Sequence, residues 1–262
     1  MKYFLSFFLV VQFVFTQNKM NPEDTEVWEP EPKLVKPGVF DSPPSDAIVL
    51  FDGSDFSKWR NERTKGAVEW IINSDKSMTV KPTTGGIETI EEHGSIQLHV
   101  EWKSPTVIKG EGQGRGNSGI IFQRRYEVQV LDSYQNRTYS NGQAGSIYKQ
   151  YIPLVNAMRP TGEWQVYDIV FNAPEFNEVG NEIKSGSFIV FHNGVLIQNV
   201  IEIQGTTEYI GVPQKGRDVM VRIVDDNDVK GYSLKADKTN RSLLLQDHGD
   251  LVSYRNIWMR KL

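Results

Sequence analysis

Ile96-Gln97-Leu98-His99-Val100-Glu101-Trp102-Lys103 alternates apolar and polar side chains without a break. Successive side chains of an extended chain point to opposite faces. Ile96, Leu98, Val100 and Trp102 therefore share one face, and Gln97, His99, Glu101 and Lys103 the other, as in a half-buried strand. Short apolar runs of the same kind recur at 68–72, 78–80, 118–123, 126–131, 164–171, 187–191 and 195–201, separated by turn residues. Asn193-Gly194, between the last two, signals a type I′ hairpin. No helical periodicity is sustained over a dozen residues. Many short strands and few helices predict an all-β sandwich or barrel. In a sandwich, one sheet can curve and offer a concave polar face.

Composition sets the outer bounds. The chain has 262 residues, of which 39% are hydrophobic and 24% charged, which excludes a wholly disordered polymer. Its net charge of −4 lacks the basic excess of a dedicated nucleic-acid binder. With no cysteine there is no disulfide framework, thiolate nucleophile or thiolate metal site. At the N-terminus, Lys2 precedes an apolar run over 3–15, and Val14 and Thr16 stand at −3 and −1 of a cut before Gln17. This reads as a signal peptide over 1–16. The run is too short for an ordinary span of about 20 residues. The expectation is an exported protein, periplasmic or secreted, with no membrane span after signal removal. Proline at 22, 30, 32, 37, 43 and 44 excludes a helix or central strand over 17–46. That stretch reads as a linker or extended arm, and 47–262 as one domain.

Several motifs match a chemical pattern without the context that pattern needs. Gly114-Arg-Gly116-Asn-Ser-Gly119 fits a dinucleotide fingerprint, but that needs a strand before it and a helix after it. Here a Gly-rich loop precedes and a strand-like run follows. Asp226-Asn-Asp228-Val-Lys230-Gly231 places a lysine where a calcium loop needs oxygen, so it reads as a solvated acidic turn. The sequons at Asn136 and Asn240 matter only in a glycosylating host. The histidines at 93, 99, 192 and 248 show no metal-ligand spacing.

The segment 117–132 carries more information: Asn-Ser-Gly-Ile-Ile-Phe-Gln-Arg-Arg-Tyr-Glu-Val-Gln-Val-Leu-Asp. Glu127 and Gln129 share a strand face, and one β-bulge would bring Asp132 to the same side. Laminarinase-type glycoside hydrolases use E-x-D-x-x-E on a bulged strand, whereas this chain has E-x-Q-x-x-D. Gln129 cannot be base or nucleophile, though it can hold a sugar hydroxyl. Further on, Gln246-Asp247-His248-Gly249 forms a polar turn between apolar strands, followed by Arg255 and Asn256. A histidine beside a carboxylate is either an oriented acid/base or part of a capped turn. Trp164 offers a stacking face or a core anchor. Tyr148 and Lys149 offer a phenol and an amine, or a plain surface.

Together these segments resemble the 3-keto-disaccharide hydrolase family, also described as 3-keto-glucoside 1,2-lyase/3-keto-2-hydroxy-glucal hydratase. Leu50-Phe51-Asp52-Gly53 with Trp59, Gly116-Asn117-Ser118-Gly119-Ile120 and 126–132 carry the likeness. So do Gly145-Ser146-Ile147-Tyr148, Gly162-Glu163-Trp164, Asn193-Gly194-Val195, 245–249 and Arg255-Asn256-Ile257. They come in the family's order and cover roughly 47–262. The chain departs from the family at Gln165, at Tyr254 and in an enlarged loop over 172–185.

The resemblance implies a concanavalin-like jelly-roll sandwich with a concave sugar-binding sheet. It also implies an exported enzyme whose glycoside substrate has first been oxidised at C3 by a separate dehydrogenase. The expected chemistry is C2 proton abstraction, elimination of the C1 aglycone and hydration of the resulting 2-hydroxy-glucal. Glu127, Asp132 and His248 are the proton-transfer candidates. Asn117, Arg124, Gln129, Tyr148, Lys149, Trp164, Asp247 and Arg255 are the binding or positioning candidates, with Asp247 orienting His248. No cofactor is required, although Glu127 and Asp132 together could serve a divalent metal acting as Lewis acid. The rival readings are a non-catalytic carbohydrate-binding module on the same fold and a structural domain of an envelope complex.

Overall fold

A computed structural model describes residues 20–39, 42–177, 181–213, 215, 219–225, 228–235 and 240–262. The signal-peptide run over 1–16 and Asp226-Asn227 of the acidic turn lie outside the described residues. The chain divides into two compact units, Met1–Val35 and Lys36–Leu262. In the described part of the first, the prolines permit one 3-10 turn, Pro22–Thr25, where the Asp24 carboxylate accepts from the Asn21 N–H at 2.9 Å. The rest of that part carries no helix or strand.

The second unit is built of strands: β1 (Ile48–Phe51), β2 (Trp59–Asn61), β3 (Ile71–Ile72), β4 (Met78–Thr79), β5 (Ile87–His93) and β6 (Ile96–Lys103). The chain continues through β7 (Ser118–Phe122), β8 (Tyr126–Val130), β9 (Gln165–Asn172), β10 (Glu175–Phe176), β11 (Glu182–Lys184) and β12 (Ser187–His192). It ends with β13 (Val195–Glu202), β14 (Val219–Asp225), β15 (Asp228–Lys235), β16 (Arg241–Leu245) and β17 (Ser253–Lys261).

The larger sheet runs β13-β12-β9-β6-β17-β4-β3, with β1 also pairing β17; the smaller runs β2-β5-β16-β7-β8. The strand pairs are antiparallel. This is the all-β, concanavalin-like jelly-roll sandwich that the alternation and the resemblance led us to expect. The stretch over 172–185, read as an enlarged loop, contains the small hairpin β10-β11. Asn193 and Gly194 have φ of 52° and 80°, the left-handed pair that a type I′ turn requires.

The alternation in β6 sets the core. Ile96, Leu98, Val100 and Trp102 are fully buried. Their neighbours in β9 are Phe171, Ile169, Tyr167 and Gln165. The rings of Phe171 and Phe188 on the larger sheet lie 5.0 and 5.1 Å from that of Phe122 on the smaller one. Two hydroxyls also cross between the layers. Tyr167 donates to the backbone carbonyl of Gln129 at 2.9 Å, and Tyr254 donates to Ser118 Oγ at 2.7 Å. Burial without such partners would cost each phenol about 1–3 kcal/mol.

The polar side of β6 is less exposed than alternation alone implies. Glu101 is buried because Arg255 Nε (2.6 Å) and Asn256 Nδ2 (2.9 Å) close over its carboxylate. Burial raises the pKa of that group, but His99, Asn256 and Arg255 together bring it down to about 2. His99 stacks on Trp258 at 5.1 Å and hydrogen-bonds Asp168 at 2.7 Å. Burial opposes its charge, yet Asp168 and Glu101 outweigh burial and raise its pKa to about 9.

A raised histidine pKa stabilises the fold fully below its unfolded value of about 6.5, and that stability is lost as pH rises through the folded value. Thermal unfolding at pH 7 and 9.5 should therefore show a larger loss for the wild type than for Asp168→Asn. Equal losses in the two proteins would remove the His99–Asp168 pair from the account.

Candidate active site

Strand β8 holds the most informative residues, and its backbone is fixed along both edges. On one edge it pairs β7 in unbroken register from Ser118↔Val130 to Phe122↔Tyr126. On the other, Tyr148 N–H donates to the Glu127 carbonyl at 3.0 Å and Gln129 N–H to the Ser146 carbonyl at 3.0 Å. Val128 and Val130 enter the core, so Glu127 and Gln129 stand on the outer face of the smaller sheet.

A cavity of about 200 Å³ lies on that face, lined by Asn117, Glu127, Gln129, Tyr148, Thr207, Tyr209, Gln246 and His248. Five of these were candidates from the sequence: Asn117, Glu127, Gln129, Tyr148 and His248.

Glu127 is only 8% exposed, and burial raises its carboxyl pKa to about 7. Gly119 lies beneath it: a Cβ there would stand 2.6 Å from Glu127 Oε1, so only glycine leaves the carboxyl its place. The Gln129 carboxamide is 3.0 Å from the same oxygen. Turned with its nitrogen toward Glu127, it donates to that carboxyl and to the Ser118 carbonyl.

Tyr148 shares a 2.6 Å hydrogen bond with Tyr139. Burial and then that bond push its pKa up, so it remains a neutral phenol and a donor. Lys149 (φ 63°) sets its ammonium 4.0 Å from the Tyr139 ring centre and 5.5 Å from that of Tyr209, which lines the cavity. His248 is exposed at the mouth. Gln246 Oε1 is buried and has no hydrogen-bond partner among the described residues. A buried acceptor of this kind calls for a donor from outside the protein.

Other candidates lie elsewhere. The bulge expected to bring Asp132 beside Glu127 is absent, and β8 ends at Val130. Asp132 is 1% exposed. Its carboxylate accepts from Arg115 Nε at 2.8 Å, Thr161 Oγ1 at 2.8 Å and the Tyr134 N–H. It lines a separate cavity of about 490 Å³ with Arg115. Asp132 therefore does not line the cavity that holds Glu127. Among the described residues no three His, Asp or Glu side chains gather as a metal site.

Asp247 does not orient His248. Its oxygens accept from the Gly85 and Gly249 N–H groups, both at 3.0 Å, which ties down the turn. Arg124 turns away to pair with Glu88, which also binds Arg60 and Lys65 at 2.7 Å each. Burial raises the Glu88 pKa, but the hydrogen bonds of Lys65, Arg60 and Arg124 hold it below the usual carboxylate range. Arg255 lies over Trp164, its guanidinium carbon 4.1 Å from the ring centre, while it pairs with Glu101 of the larger sheet. Neither Arg255 nor Trp164 lines the small cavity.

Sequence reasoning missed Thr207, Tyr209 and the role of Gln246. Gln246 sat within the polar turn already noted. Thr207 and Tyr209 lie in a segment without strand alternation, and only the fold brings Thr207 Oγ1 within 3.0 Å of the Glu127 N–H.

The family described as a 3-keto-alpha-glucoside-1,2-lyase-like domain matches residues 46–260. A crystal structure from Parabacteroides distasonis ATCC 8503, provisionally described as a glycosyl hydrolase, is 46% identical, with 93% of this chain and 97% of that chain covered and a TM-score of 0.80. A second structure from the same organism, with the same description, is 19% identical, covers 83% of this chain and 94% of its own, and has a TM-score of 0.53. It shares the fold. No protein with a curated description matches.

A carboxyl whose folded pKa is raised costs stability as pH climbs from its unfolded value, about 4.3, through its folded one. Glu127→Gln removes that titration. The variant should therefore gain thermal stability over the wild type between pH 4.5 and 8. Parallel stability–pH curves would show that the buried carboxyl is not perturbed.

Proposed function

The chain belongs to the 3-keto-alpha-glucoside-1,2-lyase-like family, and from that premise we propose that it is a carbohydrate-processing enzyme that cleaves 3-keto-glycosides. The observation that carries this reading is the buried Glu127 carboxyl, with a pKa of about 7, sharing a cavity with His248. A carboxyl poised near neutrality can act as base in one step and as acid in the next.

In this mechanism the C3 ketone acidifies the hydrogen on C2. Glu127 takes that proton, and the electron pair moves toward the C3 oxygen as enolate charge. Asn117 and the Tyr148 phenol line the cavity as donors for that charge, with the Lys149 ammonium 5.9 Å from the Tyr148 ring centre. The C1–O bond then breaks, its electrons leave with the aglycone oxygen, and His248 supplies the proton. Water adds across C1=C2: its hydroxyl goes to C1, its remaining proton returns to His248, and Glu127, its proton exchanged with solvent as the aglycone leaves, delivers one to C2, which gives the free 3-keto sugar. Gln129 and Gln246 hold sugar hydroxyls, the latter through its unpartnered buried oxygen. A retaining carboxylate pair is not needed, because no oxocarbenium ion forms.

The same reading places the protein after a dehydrogenase that oxidises glycosides at C3. From the signal-peptide pattern of Lys2 and the apolar run over 3–15 we infer an exported protein, periplasmic or secreted.

Three measurements test the proposal. Proton NMR in deuterated water should show 3-keto-glucose, deuterated at C2, released from a 3-keto-glucoside and not from its unoxidised parent. Sugar binding without release would instead make the domain a carbohydrate-binding module. Glu127→Gln should lower kcat by at least about 10²-fold, the scale of a lost general base. In the wild type, kcat/KM should fall as pH drops through about 7, because the carboxylate is the working form.

A further inference from the structure

The site described above is too small for a whole glycoside. Its volume of about 200 Å³ falls below the roughly 300–1,000 Å³ of sites that enclose drug-sized ligands. It suits one pyranose ring and leaves the leaving group outside. The cavity of about 490 Å³ stands next to it along two stretches of chain. Gly116 lines the larger cavity and Asn117 the smaller; His248 lines the smaller and Gly249 the larger. The wall between them is held by the Asp250 carboxylate, which accepts from the Asn117 N–H at 2.7 Å.

We propose that the two cavities form one bipartite cleft, with the keto sugar in the smaller part and an apolar or aromatic aglycone in the larger. This rests on the function proposed above. Two observations support it. The first is the position of His248 on the dividing turn. A group that protonates the glycosidic oxygen belongs at the junction of sugar and aglycone, because that oxygen is the atom joining them. When C1–O breaks, its electron pair stays on the aglycone oxygen, the histidine proton goes there, and an alcohol or phenol departs through the larger cavity.

The second observation is a difference in lining. The smaller cavity holds an unpartnered buried acceptor, Gln246 Oε1. The floor of the larger is already satisfied: Arg115 binds Asp132, Thr161 Oγ1 and the Tyr134 carbonyl. Its walls include Pro105, Val107, Ile108 and Leu251. The last three are 66%, 57% and 49% exposed, an apolar rim facing water that a ligand would cover. Lys103 and Lys109 also line this cavity, and a cation beside exposed aliphatic walls over a matched floor favours an apolar or aromatic group over a second sugar.

The test compares phenyl and methyl 3-keto-glucosides as substrates for the wild type, Ile108→Ser and Leu251→Ser. The readout is the ratio of kcat/KM for phenyl over methyl, which does not depend on how much of a variant is folded. The wild type should favour the phenyl substrate. Each variant, altered on a different loop, should lower the ratio about tenfold, the low end of what an apolar pocket contact contributes. A ratio unchanged in both variants would overturn the bipartite cleft and leave the proposed function standing. No release from either substrate by the wild type would overturn the proposed function and this inference with it.

Discussion

Two tyrosine hydroxyls cross the core from the larger sheet to the smaller, and the site depends on where they land. Tyr167 holds the carbonyl of Gln129 and so fixes β8 from behind. Tyr254 holds Ser118 Oγ, which passes its own hydrogen at 2.6 Å to the Gln246 carbonyl. The chain Tyr254–Ser118–Gln246 thus links the middle of one sheet to the turn that presents His248. Each bond contributes only about 0.5–1.5 kcal/mol net. Their larger effect is to set the height of β8 and of the turn against a rigid layer. Tyr254, one of the chain's departures from the family, acquires a physical meaning here, because its phenol makes this link.

The same frame lets Glu127 stay out of water. A buried carboxyl without a cation beside it is costly, and the protein accommodates it by raising its pKa rather than by pairing it. Glu88 shows the opposite solution on the same sheet. It is even less exposed but is met by Arg60, Lys65 and Arg124, and its pKa falls. Glu101, on the other sheet, follows Glu88. Of these three carboxyls, the one left without a cation is the one that lines the small cavity. Perturbation by burial alone, in a concave site, is a recurrent mark of function.

The two outer faces of the sandwich therefore serve different ends. On the larger sheet His99, Asp168, Glu101, Asn256 and Arg255 satisfy one another, and such a closed network leaves little for a ligand to bind. On the smaller sheet an acceptor remains open and a carboxyl remains unpaired. The 246–251 turn separates the small cavity of that face from the larger one, which Lys103 and Ser253 of the larger sheet also line, and the proposed reaction sets the glycosidic oxygen at this boundary.

The sequence by itself determined the layer architecture. The alternation of Ile96, Leu98, Val100 and Trp102 can be satisfied only by a sheet with one buried face, and Asn193-Gly194 can close only a tight hairpin. It also determined that Glu127 and Gln129 share a face, since period 2 in a regular strand leaves no alternative. What it could not determine was anything that depends on distant segments. Asp132 looked like a partner for Glu127 because a bulge was allowed. The structure instead keeps β8 regular and gives Asp132 to Arg115, 17 positions back in the chain. Asp247 looked like a support for His248, but the fold brings it to Gly85, 162 positions away. Thr207 and Tyr209 reached the site without any local signal. Strand periodicity is a local property and is written in neighbouring residues. The partner of a buried charge is chosen by which remote segments the two sheets bring within hydrogen-bonding distance, and only the tertiary structure decides that.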